Sequence, residues 1–168
     1  MSYAQHQSDA RVIVARCAIV TLSDTRSPET DTSGQTIRRA LEQSGHFVAS
    51  YSVIRDEPAA LQALLDELLG RGDVDAILTN GGTGISRRDQ TIDVIDRMLD
   101  QRLPGFGELF RMLSWEQIGS GAMLSRAVGG IARGKPVFAM PGSTKAVELA
   151  MTKLILPELG HLLRELRK

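Results

Sequence analysis

The sequence predicts an α/β fold in which a mostly parallel sheet lies between layers of helices. Three observations support this prediction. Segments with the apolar spacing of strands alternate with segments that have the spacing of helices, in the order βαβαβααββα. The first strand segment is a nearly continuous β-branched run, which is typical of a strand covered on both faces. The last two strand segments follow one another across a short turn, so one antiparallel pair is expected near the end.

The first half of the chain alternates between strands and helices. Its helices have capping residues at the start, an apolar stripe along one side and glycine at the end. The predicted elements are a strand over 11–22, a helix from the caps at 31–33 to Gly45, a strand over 46–54, a helix from Pro58 to Gly70 and a short strand over 74–78.

Glycine and proline divide the helical segments of the second half. The predicted elements are a helix from Thr91 to Leu99, an interruption over 103–107, a helix over 108–118, a break over 119–121, strands over 127–131 and 136–140, and a long helix after residue 145 that bends at Pro157. A turn around Gly134 joins the two strands.

Length and composition indicate one domain over residues 11–168, preceded by a loosely ordered polar tail over residues 1–10. Twenty basic side chains balance twenty acidic ones, so the charge favours neither nucleic acid nor an anionic membrane as a partner. Neither a signal-peptide layout nor a membrane-spanning apolar run is visible. The sequence has a single cysteine, Cys17, and this count excludes a disulfide framework and fits the cytoplasm. Cys17 lies in an apolar run.

Three predicted strands end in polar sequence, at residues 21–24, 79–84 and 141–145. Because ligands of open α/β sheets bind beyond the carboxyl ends of the strands, we expect these segments to converge on one site. The glycines of the middle segment would let backbone N–H groups approach a phosphate. A tight structural turn is the alternative interpretation.

Two better-known phosphate motifs are excluded. Residues 129–135 have the spacing of a P-loop, but Pro136 replaces the hydroxyl residue that the motif requires. Arg87 occupies the place of the third glycine of a dinucleotide fingerprint. The three histidines have no partners at metal-ligand spacing, so a zinc site is not predicted.

Asp56 and Asp89 precede the helices that come after the second and third strands. Either acid could cap its helix, but two carboxylates could also hold Mg²⁺ together with substrate phosphates. The same ambiguity applies to Ser143 and Lys145, which could begin the last helix or bind a phosphate. The residues alone favour Glu108 as an ordinary acid in the first turn of a helix.

Seven short motifs, in order from about Arg11 to Leu163, closely resemble those of the MoaB/MogA family of molybdenum cofactor biosynthesis. The motifs are Ser23-Asp24, Asp31–Gly34, Thr79–Gly84, Arg88–Thr91, Pro104–Glu108, Leu124–Arg126 and Pro141–Ser143. Each motif alone is modest, but their ordered combination is specific.

The resemblance implies a three-layer α/β/α molybdopterin-binding domain that forms homotrimers or homohexamers. It implies the transfer of AMP from Mg-ATP to the terminal phosphate of molybdopterin, with release of pyrophosphate. ATP with Mg²⁺ and molybdopterin would then be the ligands. A molybdate-insertion protein of the same pathway would be a possible partner.

The resemblance also implies a role for individual residues. Asp56 and Asp89 would be the catalytic acids that hold Mg²⁺. The implied binding residues are Ser23, Asp24, Thr79, Asn80, Gly81, Gly82, Thr83, Gly84, Glu108, Ser125, Arg126, Pro141, Gly142, Ser143 and Lys145. Asn80 and the segment Thr32–Gly34 look closer to the MoaB branch, for which a non-catalytic molybdopterin-binding or carrier protein is the alternative function.

Overall fold

The structure is a computed structural model that describes residues 13–168. Within that range the strands are β1 (Arg16–Leu22), β2 (Phe47–Ile54), β3 (Ala76–Asn80), β4 (Gln101–Arg102), β5 (Val128–Ala132) and β6 (Lys135–Met140). The α-helices are α1 (Thr32–Gln43), α2 (Pro58–Gly70), α3 (Thr91–Met98), α4 (Pro104–Ile118), α5 (Thr144–Ala150) and α6 (Leu156–Leu166). A 3₁₀-helix (Gly119–Leu124) comes after α4, and a π-helical turn (Met151–Ile155) joins α5 to α6.

All six strands form one sheet in the order β2-β1-β3-β6-β5-β4. Strands β2, β1, β3 and β6 are parallel neighbours, whereas β5 is antiparallel to both β6 and β4. The mostly parallel sheet and the antiparallel pair near the end are therefore confirmed. Arg133 and Gly134 both have positive φ, 47° and 76°, which matches the twist of the tight turn between β5 and β6.

Helices cover both faces of the sheet and produce two apolar clusters, so the three-layer arrangement is confirmed. One cluster contains residues of α1, α4, α5 and α6, and the other contains residues of α2 and α3. Strand β1 contributes to both because successive side chains of a strand point to opposite faces. Cys17 and Ile19 belong to the first cluster, whereas Ala18 and Val20 belong to the second.

The predicted first strand is longer than the observed one. β1 begins at Arg16, which pairs with Phe47, the first residue of β2. Residues 11 and 12 of the prediction, and the polar tail over residues 1–10, lie outside the described residues. The predicted third strand, in contrast, is too short at its carboxyl end. β3 continues two residues beyond the prediction, through Thr79 and Asn80, because both residues pair with β1 on one side and with β6 on the other.

The interruption predicted over residues 103–107 is wrong, because α4 already begins at Pro104. Proline is favoured at the first helical position, where its missing N–H would have had no partner. The short strand β4 was not predicted. The long final helix changes to a π-helical turn just before Pro157. Within residues 13–168, no helix has the length and apolarity needed to cross a bilayer.

Candidate active site at the carboxyl ends of three strands

The turns after β1, β3 and β6 meet backbone to backbone at one edge of the sheet. The Gly81 N–H donates to the Met140 carbonyl at 3.1 Å. Gly81 has φ +93°, and a Cβ atom there would collide with the Leu22 carbonyl oxygen. A Cβ atom at Gly142 would lie only 3.1 Å from the Gly81 Cα atom. Glycine at these two positions therefore lets the three strand ends converge, as the polar segments predict.

Asp56 and Asp89 lie against two glycines of the turn after β3. A Cβ atom at Gly82 would lie 2.5 Å from Asp56 Oδ1, and one at Gly84 would lie 2.7 Å from Asp89 Oδ2. Both carboxylates therefore use space that only glycine leaves open. The structure brings the two acids to the same turn, although they are far apart in the sequence.

Asp89 shapes its loop and does not cap α3. Its Oδ2 atom accepts hydrogen bonds from the Ser86 N–H at 3.0 Å and the Ser86 hydroxyl at 2.5 Å. The N-cap of α3 is Gln90, whose side chain makes no capping bond. The hydrogen bond from the Ser86 hydroxyl is the main reason why the pKa of Asp89 lies below its ordinary value, and Arg126 adds to the effect. Asp89 is therefore a fixed negative charge.

Asp56 has the opposite environment. Across residues 13–168 no donor makes a hydrogen bond to its carboxylate, and the N-cap of α2 is the neighbouring Glu57. Partial burial, followed by the negative charges of Asp89 and Asp24, raises the pKa of Asp56 above its ordinary value. Asp56 is therefore a carboxylate whose oxygen atoms accept no hydrogen bond within residues 13–168, in a site where burial and the nearby acids outweigh the positive charge of Arg88.

These residues fit a bound Mg²⁺ ion. A buried hydroxyl oxygen, Thr91 Oγ1, has no hydrogen-bond partner in the described part of the chain and lies beside Asp56 at Gly82. Mg²⁺ takes oxygen ligands and is commonly held by one or two carboxylates, with phosphates and water completing its shell. The structure shows no group of three or more His, Cys, Asp or Glu side chains suited to a metal among residues 13–168. Asp56 and Asp89 are consistent with a Mg²⁺ ion that is held by two carboxylates and completed by phosphates and water.

The turn after β1 supports the acid pair. Asp24 Oδ1 accepts a hydrogen bond from the Asp56 N–H at 3.2 Å, and Asp24 Oδ2 pairs with Arg88 at 2.6 Å. Ser23 Oγ accepts hydrogen bonds from the N–H groups of Thr25 and Arg26. Asp24 thus links the acids to the loop that contains Arg88, whereas Ser23 stabilises the turn itself.

Arg126 closes the opposite side of the site. Its guanidinium donates to the Gly84 carbonyl at 3.2 Å and to the Asp93 carboxylate at 3.1 Å, so it fastens the glycine turn to α3. The resulting cleft has a volume of about 350 Å³. Nine of the predicted residues line it, namely Gly81, Gly82, Thr83, Gly84, Asp89, Ser125, Arg126, Pro141 and Gly142.

A larger cavity of about 850 Å³ adjoins this cleft between α4 and α5. Ser125 and Pro141 line both spaces, and Ser143 and Lys145 line only the larger one. The Ser143 hydroxyl accepts a hydrogen bond from the Ala146 N–H at 3.2 Å, so Ser143 is the N-cap of α5. Glu108 is exposed on α4 and lines neither space.

The sequence did not reveal the buried hydrogen-bond network beneath the site. Asn80 donates through Nδ2 to the Thr21 hydroxyl at 2.8 Å, and that hydroxyl bonds to the Asp31 carboxylate. Asp31 also accepts from the Tyr51 hydroxyl at 2.7 Å. Asp31 caps α1 as predicted. Its second role, connecting the ends of β1 and β3, becomes visible only because Thr21 and Asn80 pair in the sheet.

The same network reaches the turn after β6. Ser33 Oγ donates to the Gly142 carbonyl at 2.6 Å, and Arg26 donates to the same carbonyl at 3.3 Å. Arg26 Nη1 also lies 3.4 Å from Asp31 Oδ1. Thr79, the remaining predicted residue, is fully buried in β3 beneath the turn.

Comparisons with known proteins agree with this architecture. A family model described as a probable molybdopterin binding domain matches residues 18–161. Molybdenum cofactor biosynthesis protein B of Halalkalibacterium halodurans is 53% identical to the chain, and the match covers 100% of this chain and 99% of that protein.

Two solved structures of this family superpose on the chain. A crystal structure of a molybdenum cofactor biosynthesis protein B superposes with a TM-score of 0.91 at 54% identity, covering 92% of this chain and 97% of that one. A MogA structure superposes with a TM-score of 0.81 at 30% identity, covering 90% of this chain and 99% of that one. The greater similarity to protein B agrees with the branch that Asn80 favours. The chain therefore belongs to the MoaB/MogA family of molybdenum cofactor biosynthesis proteins.

Proposed function

We propose that this protein is a Mg²⁺-dependent molybdopterin adenylyltransferase. It would transfer AMP from ATP to the terminal phosphate of molybdopterin and release pyrophosphate. The observation that carries the proposal is the placement of Asp56 and Asp89 against the same glycine turn in opposite electrostatic environments. Pairs of acids with diverging pKa values are typical of sites that divide chemical work between two groups.

The reaction needs alignment and charge neutralisation more than a protein nucleophile. An oxygen of the terminal phosphate of molybdopterin forms a bond to the α-phosphorus of ATP. The bond from that phosphorus to the bridging oxygen breaks, and its electron pair leaves with pyrophosphate. Asp56 and Asp89 would hold Mg²⁺, which neutralises phosphate charge when it is bound.

We assign one substrate to each of the two adjoining spaces. The smaller cleft offers the glycine turn and the guanidinium of Arg126, which suit a nucleotide phosphate. The larger cavity offers Lys145 and the start of α5, which suit the phosphate end of molybdopterin. Because Ser125 and Pro141 line both spaces, the reacting phosphates would meet at their common border.

Purified protein incubated with molybdopterin and Mg-ATP tests the proposal. We expect adenylylated molybdopterin and pyrophosphate in equal amounts. An ATP analogue with a methylene group between the α- and β-phosphates should block the reaction, whereas one with the methylene group between β and γ should support it. Folded protein that forms no product with natural ATP would refute the enzymatic function.

The second candidate function is a non-catalytic molybdopterin-binding or carrier protein. Its support is the family description, which names binding alone, and the MoaB-like residue Asn80. Titration calorimetry separates the two functions. Heat on adding molybdopterin without any heat on adding Mg-ATP would favour the carrier, whereas binding of both would favour the transferase.

We further propose that the protein acts as a homotrimer or homohexamer. Four large apolar side chains of α4 recur every three residues and are 46–62% exposed, namely Leu109, Met112, Trp115 and Ile118. Met123 and Leu124, on the 3₁₀-helix that follows α4, are exposed as well. An apolar surface of this kind is typical of a subunit interface. Light scattering should give three or six times the chain mass of 18.3 kDa.

The proposed pathway role also suggests a cellular location and a downstream partner. The adenylylated product would be consumed by a molybdate-insertion protein, which is the proposed partner. We place the reaction in the cytoplasm, in agreement with the free thiol of Cys17. Co-purification after crosslinking in cell extracts, with product present, would test the partner.

A further inference from the structure

Thr91 combines a fixed backbone with a side chain that has an unused oxygen. It is the first residue of α3, and its N–H donates to the Gly82 carbonyl at 3.2 Å. The side chain is 1% exposed. Its hydroxyl oxygen has no hydrogen-bond partner within residues 13–168. A buried hydroxyl without a partner costs free energy, so a ligand that engages this oxygen would recover it.

The carboxylate of Asp56 lies close to this hydroxyl. Thr91 Oγ1 and Asp56 Oδ1 both lie within 2.5 Å of the point where a Cβ atom of Gly82 would be. The two oxygens are therefore no more than about 5 Å apart, and one cation with bonds of about 2.1 Å can join oxygens of that spacing after a small side-chain shift. Glycine at position 82 keeps the space between the turn and these oxygens free of a side chain.

We propose that the Thr91 hydroxyl is a third protein oxygen, beside Asp56 and Asp89, for the divalent cation of this site. The assignment rests on the proposed function because that function places the cation here. A neutral hydroxyl adds an oxygen ligand without adding to the repulsion among Asp24, Asp56 and Asp89. Threonine and serine hydroxyls serve Mg²⁺ in the same way in P-loop proteins.

Manganese binding tests the assignment independently of turnover. Mn²⁺ replaces Mg²⁺ at oxygen sites, and electron paramagnetic resonance measures its free concentration in the presence of ATP. Thr91→Val keeps the branched shape and removes the hydroxyl, so we expect Mn²⁺ affinity at the protein-ATP complex to fall about tenfold. Thr91→Ser keeps the hydroxyl and should stay within about twofold of the wild type. Thr36→Val is the matched control, because Thr36 is half-buried on α1, its hydroxyl bonds to the Thr32 carbonyl, and it lines neither cavity.

Thr91→Cys gives a second measurement that does not depend on the valine variant folding. Thiolate ligands prefer soft metals, so this variant should lose Mn²⁺ affinity and gain Cd²⁺ affinity relative to the wild type. Background binding of Cd²⁺ should be low, because the native Cys17 is completely buried and burial raises the pKa of its thiol to about 12.

The outcomes separate this assignment from the proposed function. Unchanged Mn²⁺ affinity in Thr91→Val, or no gain in Cd²⁺ affinity in Thr91→Cys, overturns the assignment and leaves the transferase standing. Wild-type protein that binds no Mn²⁺ with ATP overturns both. The expected affinity pattern in a protein that forms no adenylylated product supports the assignment and refutes the transferase.

Discussion

Replacing Asp31 by asparagine tests the network that connects the three strand ends. The carboxylate of Asp31 is completely buried. It accepts hydrogen bonds from the Gly34 N–H at 3.0 Å and the Tyr51 hydroxyl at 2.7 Å, and Arg26 lies 3.4 Å away. Asparagine has nearly the same shape, but it has no charge and one acceptor oxygen instead of two. At least one buried donor therefore loses its acceptor.

We expect Asp31→Asn to lower the free energy of unfolding at pH 7 by about 2–4 kcal/mol. A hydrogen bond to a charged group contributes about 1.5–3 kcal/mol, and the lost acceptor affects at least one such bond. Breaking a fully buried ion pair costs about 3–5 kcal/mol. The Arg26 side chain is 32% exposed, so water can replace part of the interaction that Arg26 loses. The lower end of the range for buried ion pairs therefore applies.

The effect has a definite dependence on pH. Burial raises the pKa of Asp31, but hydrogen bonds from Thr21, Tyr51 and Gly34 and the charge of Arg26 outweigh burial, so the folded-state pKa lies below the ordinary value. A depressed pKa stabilises the fold above the unfolded-state pKa of about 3.9, and this contribution is lost as the pH falls through the folded-state pKa. Wild type and variant should differ fully near neutral pH and converge in acid.

Urea unfolding followed by circular dichroism, at neutral pH and again in acid well below the unfolded-state pKa of about 3.9, measures both effects. Glu42→Gln is the control, because the same acid-to-amide change removes only the exposed pair with Arg38 and should cost less than about 0.5 kcal/mol. A loss below about 1 kcal/mol for Asp31→Asn, or a loss that does not shrink in acid, would refute the reasoning.

Three other substitutions have specific outcomes. Gly81→Ala should cost about 1–3 kcal/mol in thermal unfolding, because the position has φ +93° and the new Cβ atom would collide with the Leu22 carbonyl. Gly70→Ala, where the Cβ atom meets open space, is the control and should be nearly neutral. Asp89→Asn should retain molybdopterin binding but lose more than about tenfold in transfer rate, which corresponds to over about 1.4 kcal/mol of transition-state stabilisation. Equal rates in variant and wild type would show that Asp89 only stabilises the loop. Trp115→Glu should convert the oligomer to monomers in light scattering with unchanged far-ultraviolet circular dichroism, and an unchanged mass would exclude this face from the interface.

The sequence predicted the sheet because its strand segments have the apolar spacing of strands, and the prediction failed where polar residues are buried. Thr79 and Asn80 come after the apolar part of β3 and look like the start of a loop, yet both are fully buried and paired. Their pairing depends on β1 and β6 arriving on either side, which is tertiary information. The first turn of α4 was missed for a related reason. Gly105 and Gly107 weaken helical propensity, but Phe106 packs into the core and stabilises the turn.

The candidate site was predictable as a place but only in part as a set of contacts. The polar strand ends at residues 21–24, 79–84 and 141–145 do converge, since the topology of a parallel sheet requires it. The network through Asp31 has no signal of its own, because a helix-capping aspartate looks the same whether or not it also binds a neighbouring strand. Such a network could be suspected wherever a hydroxyl residue and an asparagine end adjacent strands beside that cap.

Asp56 and Asp89 should respond in opposite ways to loss of charge. Asp56 has no donor to its carboxylate within the described residues and a raised pKa, so its ionised form opposes folding. Asp56→Asn should therefore raise the melting temperature in the presence of a chelator, while Mg-ATP, which stabilises the wild type by binding, should stabilise this variant less. Asp89→Asn should lower the melting temperature, because a neutral amide oxygen accepts the two hydrogen bonds from Ser86 more weakly than the charged carboxylate oxygen does. Equal shifts of the melting temperature with the same sign would show that the two acids do not differ in role. Stabilisation by Asp56→Asn alone would show that the fold keeps an unfavourable charge at Asp56 for its ligand.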